Sequence, residues 1–178
     1  MSVRGFKIEI KMPGVDQECA QSCPEEWEAF GQQCYFWSNS VKSWNNAEQT
    51  CRHKGGNLAS VSSHSTNSYI LRKWTERGIK KNDALWIGGT DKVQENVWKW
   101  SDGAVWQFTY WGSGGRNPSG QGDCLQYFSH DKKWWDWKCH EKYHFVCSKS
   151  MCSGNFHHLS CHKMAKNDFF CLLSTMRI

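Results

Sequence analysis

The sequence predicts an α+β domain in which two amphipathic helices precede a run of short antiparallel strands. Disulfides staple the whole, and one long polar loop interrupts the strands. Three observations predict it. Helical periodicity is confined to the stretch from Ser43 to Gly78. From Leu85 onward the apolar runs are short, aromatic and β-branched, as strands require. All twelve tryptophans of the 178-residue chain fall between Trp27 and Trp137, which marks where its core must lie.

Residues 1–22 read as a flexible leader, with Pro13-Gly14 as a turn signal and little periodicity. Next, Cys23 and Cys34 enclose two half-apolar runs joined at Gly31, which reads as a hairpin closed by a Cys23–Cys34 bridge. Trp44, Ala47 and Cys51 then recur at helical spacing, with Ser43 as N-cap and Gly55-Gly56 as the stop, so Cys51 faces inward. Asn57 to Val61 is a short connector or strand. In the second helix Ser65 is the expected cap, Tyr69, Ile70 and Trp74 share one face, and Gly78 ends it. Strands are expected at Leu85–Ile87, Val97–Trp100, Leu125–Phe128, Trp134–Trp137 and Tyr143–Val146, and the domain closes at Ser148. Residues 149–178 contain no tryptophan and no clear period, and are expected to form a disordered or weakly structured extension.

Ten cysteines are hard to keep as thiols in a reducing cytosol, so an oxidising, extracellular setting is inferred. Met1 to Lys11 holds no apolar run of signal-peptide length, so either the native start lies elsewhere or export uses another arrangement. No transmembrane segment is expected. A net charge of +5, spread without a basic block, argues against a nucleic-acid partner. No nucleophile-and-base motif is present, so an enzyme is not expected. In the extension, His157, His158, Cys161 and His162 are metal-like in type, but no predicted strand or helix orients them.

Several features together resemble the C-type lectin-like domain over Cys23 to Ser148. They are the Cys23/Cys34 pair, the Cys51 helix, Trp86-Ile87-Gly88, Trp98-Lys99-Trp100-Ser101-Asp102-Gly103, Asn117-Pro118, Asp136 three residues before Cys139, and the closing Cys147. The resemblance implies disulfides Cys51–Cys147 and Cys124–Cys139, with Cys23–Cys34 as the extra bridge of the longer form, each worth about 2–4 kcal/mol. Cys19, Cys152, Cys161 and Cys171 have no counterpart; an intermolecular disulfide through Cys19, a local pair and a free thiol all stand open.

The resemblance also implies a calcium-dependent sugar site in the Gly112–Gly122 loop. Calcium takes six to eight oxygens and gains affinity from ligand charge. The expected motif here reads Asn117-Pro118-Ser119, an amide oxygen and a hydroxyl in place of acids. Gly122 stands where an acid is expected and Trp135 where an asparagine is, leaving Asp136 as the anionic ligand. Asn117, Pro118, Ser119, Trp135 and Asp136 are therefore the expected ligand-binding set, with Asn117 and Asp136 on any metal, and the site is degenerate. The Asn117–Pro118 bond is expected to be cis. A second, auxiliary calcium site is expected from Asp91, Glu95 and Asp123. Trp106, Trp111, Trp134 and Trp135 flank the loop, where an indole face can stack on a pyranose.

The expected function is carbohydrate recognition in innate defence, similar to the small soluble lectins of fishes, with calcium weak or absent at the sugar site. The first alternative is calcium-independent binding of a cell-surface or secreted protein through the same face. The second is ice binding, since type II antifreeze proteins share the fold.

Overall fold

The computed structural model describes residues 22–116, 122–151, 159–164 and 168–173. The chain divides into two units, a larger one of Gln21–Met151 and a smaller one of Met1–Ala20 with Cys152–Ile178. In the larger unit the elements run β1 (Glu28–Phe30), β2 (Gln33–Trp37), α1 (Trp44–His53), β3 (Asn57–Leu58), α2 (His64–Glu76), β4 (Ala84–Thr90), β5 (Lys99–Trp100), β6 (Cys124–Phe128), β7 (Trp134–Trp137) and β8 (His144–Ser150). In the smaller unit β9 (Leu159–Met164) and β10 (Asp168–Leu173) pair as an antiparallel hairpin, within the segment whose sequence shows no clear period. No helix among the described residues is long and apolar enough to cross a membrane.

The eight strands of the larger unit form one sheet in the order β1-β2-β8-β4-β6-β7, with β3 added to β8 and β5 to β4. All these pairings are antiparallel except β4 with β8, which run parallel. Two helices are set among the first three strands and a run of five strands, β4 to β8, follows them, so the α+β reading stands. Helix α1 begins after Ser43 as the sequence predicts, although the Ser43 hydroxyl caps nothing. Helix α2 starts earlier than predicted: Ser63, not Ser65, is its N-cap, extended in backbone and accepting from the Thr66 N–H. Ser65 instead lies in the first turn, its hydroxyl 2.9 Å from that of Ser63.

The three predicted disulfides form: Cys23–Cys34, Cys51–Cys147 and Cys124–Cys139. The second ties α1 to β8 across 96 residues with both cysteines fully buried, so it closes the loop of greatest entropic weight. Cys19 and Cys152 lie outside the described residues.

Why Gly88 follows Trp86-Ile87 is a matter of space. A Cβ on Gly88 would sit 2.4 Å from the Leu58 carbonyl oxygen, so only glycine lets β3 lie this close to β4. The contact is sealed by Gly88 N–H donating to Ala59 O at 2.9 Å, while the Trp44 indole N–H reaches Ile87 O at 2.8 Å.

Beneath this crossing sits a buried carboxylate that the sequence did not advertise. Glu48 on α1 is 6% exposed and accepts four hydrogen bonds: from Arg52 Nε (2.7 Å), Asn57 Nδ2 (2.7 Å), Leu58 N (2.8 Å) and Ser101 Oγ (3.0 Å). It joins α1, β3 and the turn after β5. Replacing it strands the buried Leu58 N–H and the Asn57 amide. Glu48→Ala is expected to cost about 3 kcal/mol in chemical denaturation, and a loss below about 1 kcal/mol would show that water satisfies those donors instead.

On the other side of the sheet Trp134 is fully buried. Its ring lies 5.6 Å from Trp100, 5.7 Å from Trp106, 5.6 Å from Phe108, 6.0 Å from Trp111 and 6.3 Å from Tyr127. The expectation that Trp134 offers a stacking face beside the loop is thereby corrected. It is the centre of the aromatic core that carries the 104–111 segment.

Candidate functional site

The site forms where β4 ends and β7 passes. Asp91 directly follows Thr90, the last residue of β4, and opens a tight turn in which Gln94 N donates to Asp91 O and Val97 N to Gln94 O. The Asn96 N–H donates to Asp91 Oδ2 at 2.9 Å, and Asn96 has a positive φ of 64°, a conformation asparagine tolerates. This turn brings Glu95 round toward Asp91. Strand β7 delivers the third carboxylate. Its side chains alternate, with Trp134 and Asp136 buried on one face and Trp135 and Trp137 on the other. The Asp136 N–H donates to Gly115 O at 2.7 Å, tying β7 to the start of the loop.

Carboxylate oxygens of Asp91, Glu95 and Asp136 all lie within 4.8 Å of one another. Two oxygens on one calcium ion, each about 2.3–2.6 Å from it, stand no more than about 5 Å apart, so this spacing is that of a common cation. The trio differs from the expected one. Asp91 and Glu95 are together as the sequence suggests, but their third partner is Asp136, and Asp123 is outside the cluster.

Gly122 explains the exchange. A Cβ there would lie 2.4 Å from Asp136 Oδ1 and 2.9 Å from Trp137 N. The Asp136 carboxylate thus occupies the space that a side chain at 122 would fill. Asp123, one residue on, is held through its backbone: its carbonyl accepts from Thr90 Oγ1 at 2.6 Å and from Asp91 N at 3.3 Å. Asp123 also lines a cleft with Ser43, Asn45 and Lys138.

The donor set fits a hard cation on a second count. Asp91 is only 2% exposed, and its Oδ1 has no hydrogen-bond partner among the described residues. Buried carboxylate oxygens are normally satisfied, so an unpaired one in a residue that belongs to a three-carboxylate cluster is compatible with a metal ligand. Burial pushes the Asp91 carboxyl above the usual aspartate value; the Asn96 N–H opposes this and the Asp123 charge adds to it. Arg116 comes close enough to temper the negative charge, donating from Nη2 to Asn96 O at 2.9 Å.

Asn117, Pro118 and Ser119, and with them the expected cis bond, lie outside the described residues. Trp135 is half-buried and held: its indole N–H donates to Asp131 Oδ2 at 3.0 Å, and its ring meets Phe128 edge-on at 6.0 Å. It stands on the opposite face of β7 from Asp136. Trp137 is 41% exposed, the one tryptophan the structure places among the exposed large apolar side chains. Strand alternation counted from a buried Trp134 is the signal that finds it.

A family model for the lectin C-type domain matches residues 40–149. The chain belongs to the C-type lectin domain family. This is a family of non-enzymatic binding domains. Among curated proteins the chain is 33% identical to CD209 antigen-like protein A of Mus musculus over 139 residues, covering 76% of this chain and 55% of that one. It is 30% identical to the galactose-specific lectin nattectin of Thalassophryne nattereri, covering 77% of this chain and 86% of the relative. The chain therefore spans about half the length of the mouse relative and most of the fish lectin. Among solved structures, a calcium-independent type II antifreeze protein superposes with a TM-score of 0.65 at 30% identity, over 72% of this chain and 95% of the other.

Proposed function

We propose that this C-type lectin domain is an extracellular carbohydrate-recognition domain in which one calcium ion, held by Asp91, Glu95 and Asp136, fixes the recognition loop. The convergence of those three carboxylates around the unpaired Asp91 oxygen carries the reading. Bound there, calcium supplies positive charge that relieves three mutually repelling carboxylates. The chain's own residues do the rest. Asp136, bonded through its backbone to Gly115, couples the metal to the beginning of the 112–122 loop. Asn117 and Ser119 are the loop oxygens that the sequence offers to a sugar. The three disulfides accord with an oxidising, extracellular setting.

The same geometry favours a second reading. With Asp136 drawn toward Asp91 and Glu95, a single carboxylate does not serve both a metal there and sugar hydroxyls over the loop, so a protein partner held without metal is the alternative. Ice binding, which the antifreeze neighbour raises, is decided by thermal hysteresis.

Calorimetric titration is expected to show one saturable calcium site, and calcium at about 100 times its Kd is expected to stabilise the domain by about 2.7 kcal/mol. A glycan array with galactose among its first sugars, given the fish relative, is expected to retain protein in calcium and lose it in EDTA. Retention unchanged by EDTA would favour the metal-free alternative.

A further inference from the structure

An open cleft of about 690 Å³, which contains none of the three clustered carboxylates, is lined by Ser43, Asn45, Asp123, Lys138, Cys139, His140 and Lys142. That volume lies within the roughly 300–1,000 Å³ of typical ligand sites. Lys138 and Lys142 are exposed, and among the described residues neither has a carboxylate within 4 Å. Lys92 adds a third ammonium at the wall, its Nζ donating to Asn45 Oδ1 at 2.7 Å. His140 contributes a ring nitrogen 3.7 Å from Glu141, and Asp123 forms the one acidic wall.

The floor adds to this balance. Helix α1 brings its N-terminal end here, with the Trp44 N–H bonded to Cys139 O, no acidic residue in its first turn and no side-chain cap from Ser43. Cations clustered at a cavity without a carboxylate partner favour an anionic occupant over a neutral one. Trp137, the exposed indole at the end of the edge strand β7, is not in the cleft's lining but immediately precedes Lys138, and it offers beside the cleft a face on which a pyranose ring can stack.

We propose that this cleft is a second, metal-independent subsite that takes the anionic substituent, sulfate or carboxylate, of an acidic saccharide whose ring lies against Trp137. The inference rests on the carbohydrate-recognition reading and extends it to acidic glycans. Lys138 and Lys142 supply the charge, Asn45 and Ser43 supply neutral hydrogen bonds, and Asp123 opposes anions on the side nearest the calcium cluster. Binding of this kind is salt-sensitive, because both lysines are exposed.

The test is calorimetric titration of the full chain in EDTA with a heparin-derived tetrasaccharide, a hyaluronan tetrasaccharide, neutral chitotetraose and inorganic sulfate, at low and high salt. The heparin or hyaluronan fragment is expected to bind, weaker at high salt, while chitotetraose does not. Lys138→Ala/Lys142→Ala is expected to weaken it about tenfold or more, and Lys80→Ala/Lys81→Ala to leave it unchanged. Equal affinity in the Lys138/Lys142 variant, or equal binding of chitotetraose, overturns the subsite. Sulfate binding alone, with no saccharide bound, also overturns it. Asp91→Asn separates the two readings: it is expected to abolish calcium-dependent retention of neutral glycans while sparing the acidic tetrasaccharide. Intact calcium-dependent retention without acidic binding therefore removes the cleft proposal alone, and acidic binding without any calcium-dependent retention removes the calcium reading alone.

Discussion

Trp134→Ala is expected to destabilise the domain by about 4 kcal/mol, the range for emptying a large aromatic site in a packed core. The indole is fully buried and touches five other aromatic rings, including Trp106, Phe108 and Trp111 from the segment that leads into the loop. That segment makes no helix and few strand pairings, so its position depends on these rings. The variant is expected to loosen the loop as well as the core, so that calcium affinity falls along with the denaturation midpoint. Trp137→Ala, on the exposed face of the same strand, is expected to change stability by less than about 0.5 kcal/mol. Equal losses from both substitutions would mean that β7 is held by its hydrogen bonds and not by the aromatic cluster.

The second large effect concerns Gly122→Ala. Its φ does not require glycine, but its new methyl group would meet Asp136 Oδ1 at 2.4 Å and must push the carboxylate aside. Overpacking of this kind costs about 1–3 kcal/mol. The more telling loss is in calcium affinity, expected to fall at least about tenfold because one of three anionic ligands is displaced. Asp136→Asn, which removes charge without moving the chain, is expected to lose affinity to a similar extent with little change in stability. If Gly122→Ala binds calcium as tightly as the wild type, Asp136 is not a ligand.

Much of the architecture was legible in the sequence, and the reasons are local. Trp134–Trp137 was bounded correctly as a strand because three tryptophans in four consecutive residues between polar turns leave little choice. Trp44, Ala47 and Cys51 place α1 because helical spacing and the Gly55-Gly56 stop agree. The cap of α2 was misplaced by two residues because three hydroxyls, Ser62, Ser63 and Ser65, compete in one short segment, and only the backbone conformation chooses among them. Alternation within Trp134-Trp135-Asp136-Trp137 was visible, but its phase was not, since tryptophan suits either face. That phase decides which indole is core and which is exposed.

The candidate site was half legible for a different reason. Asp91 and Glu95 lie on one turn, so their meeting depends on five residues of sequence. Asp136 joins them only because Gly122, fourteen residues earlier and just ahead of β6, leaves a hole of the right size. Glu48 was invisible for the same reason: on its helix it reads as one more solvated acid, and its four donors come partly from β3 and from the turn after β5. Contacts made between elements carry no local signature.

The central claim is that calcium is held by Asp91, Glu95 and Asp136, with Asp123 outside the shell. It is tested most directly by calorimetric calcium titration of Asp123→Asn beside Asp136→Asn. The account predicts affinity near that of the wild type for Asp123→Asn and a loss of about tenfold or more for Asp136→Asn. The reverse pattern, with Asp123→Asn impaired and Asp136→Asn intact, would contradict it.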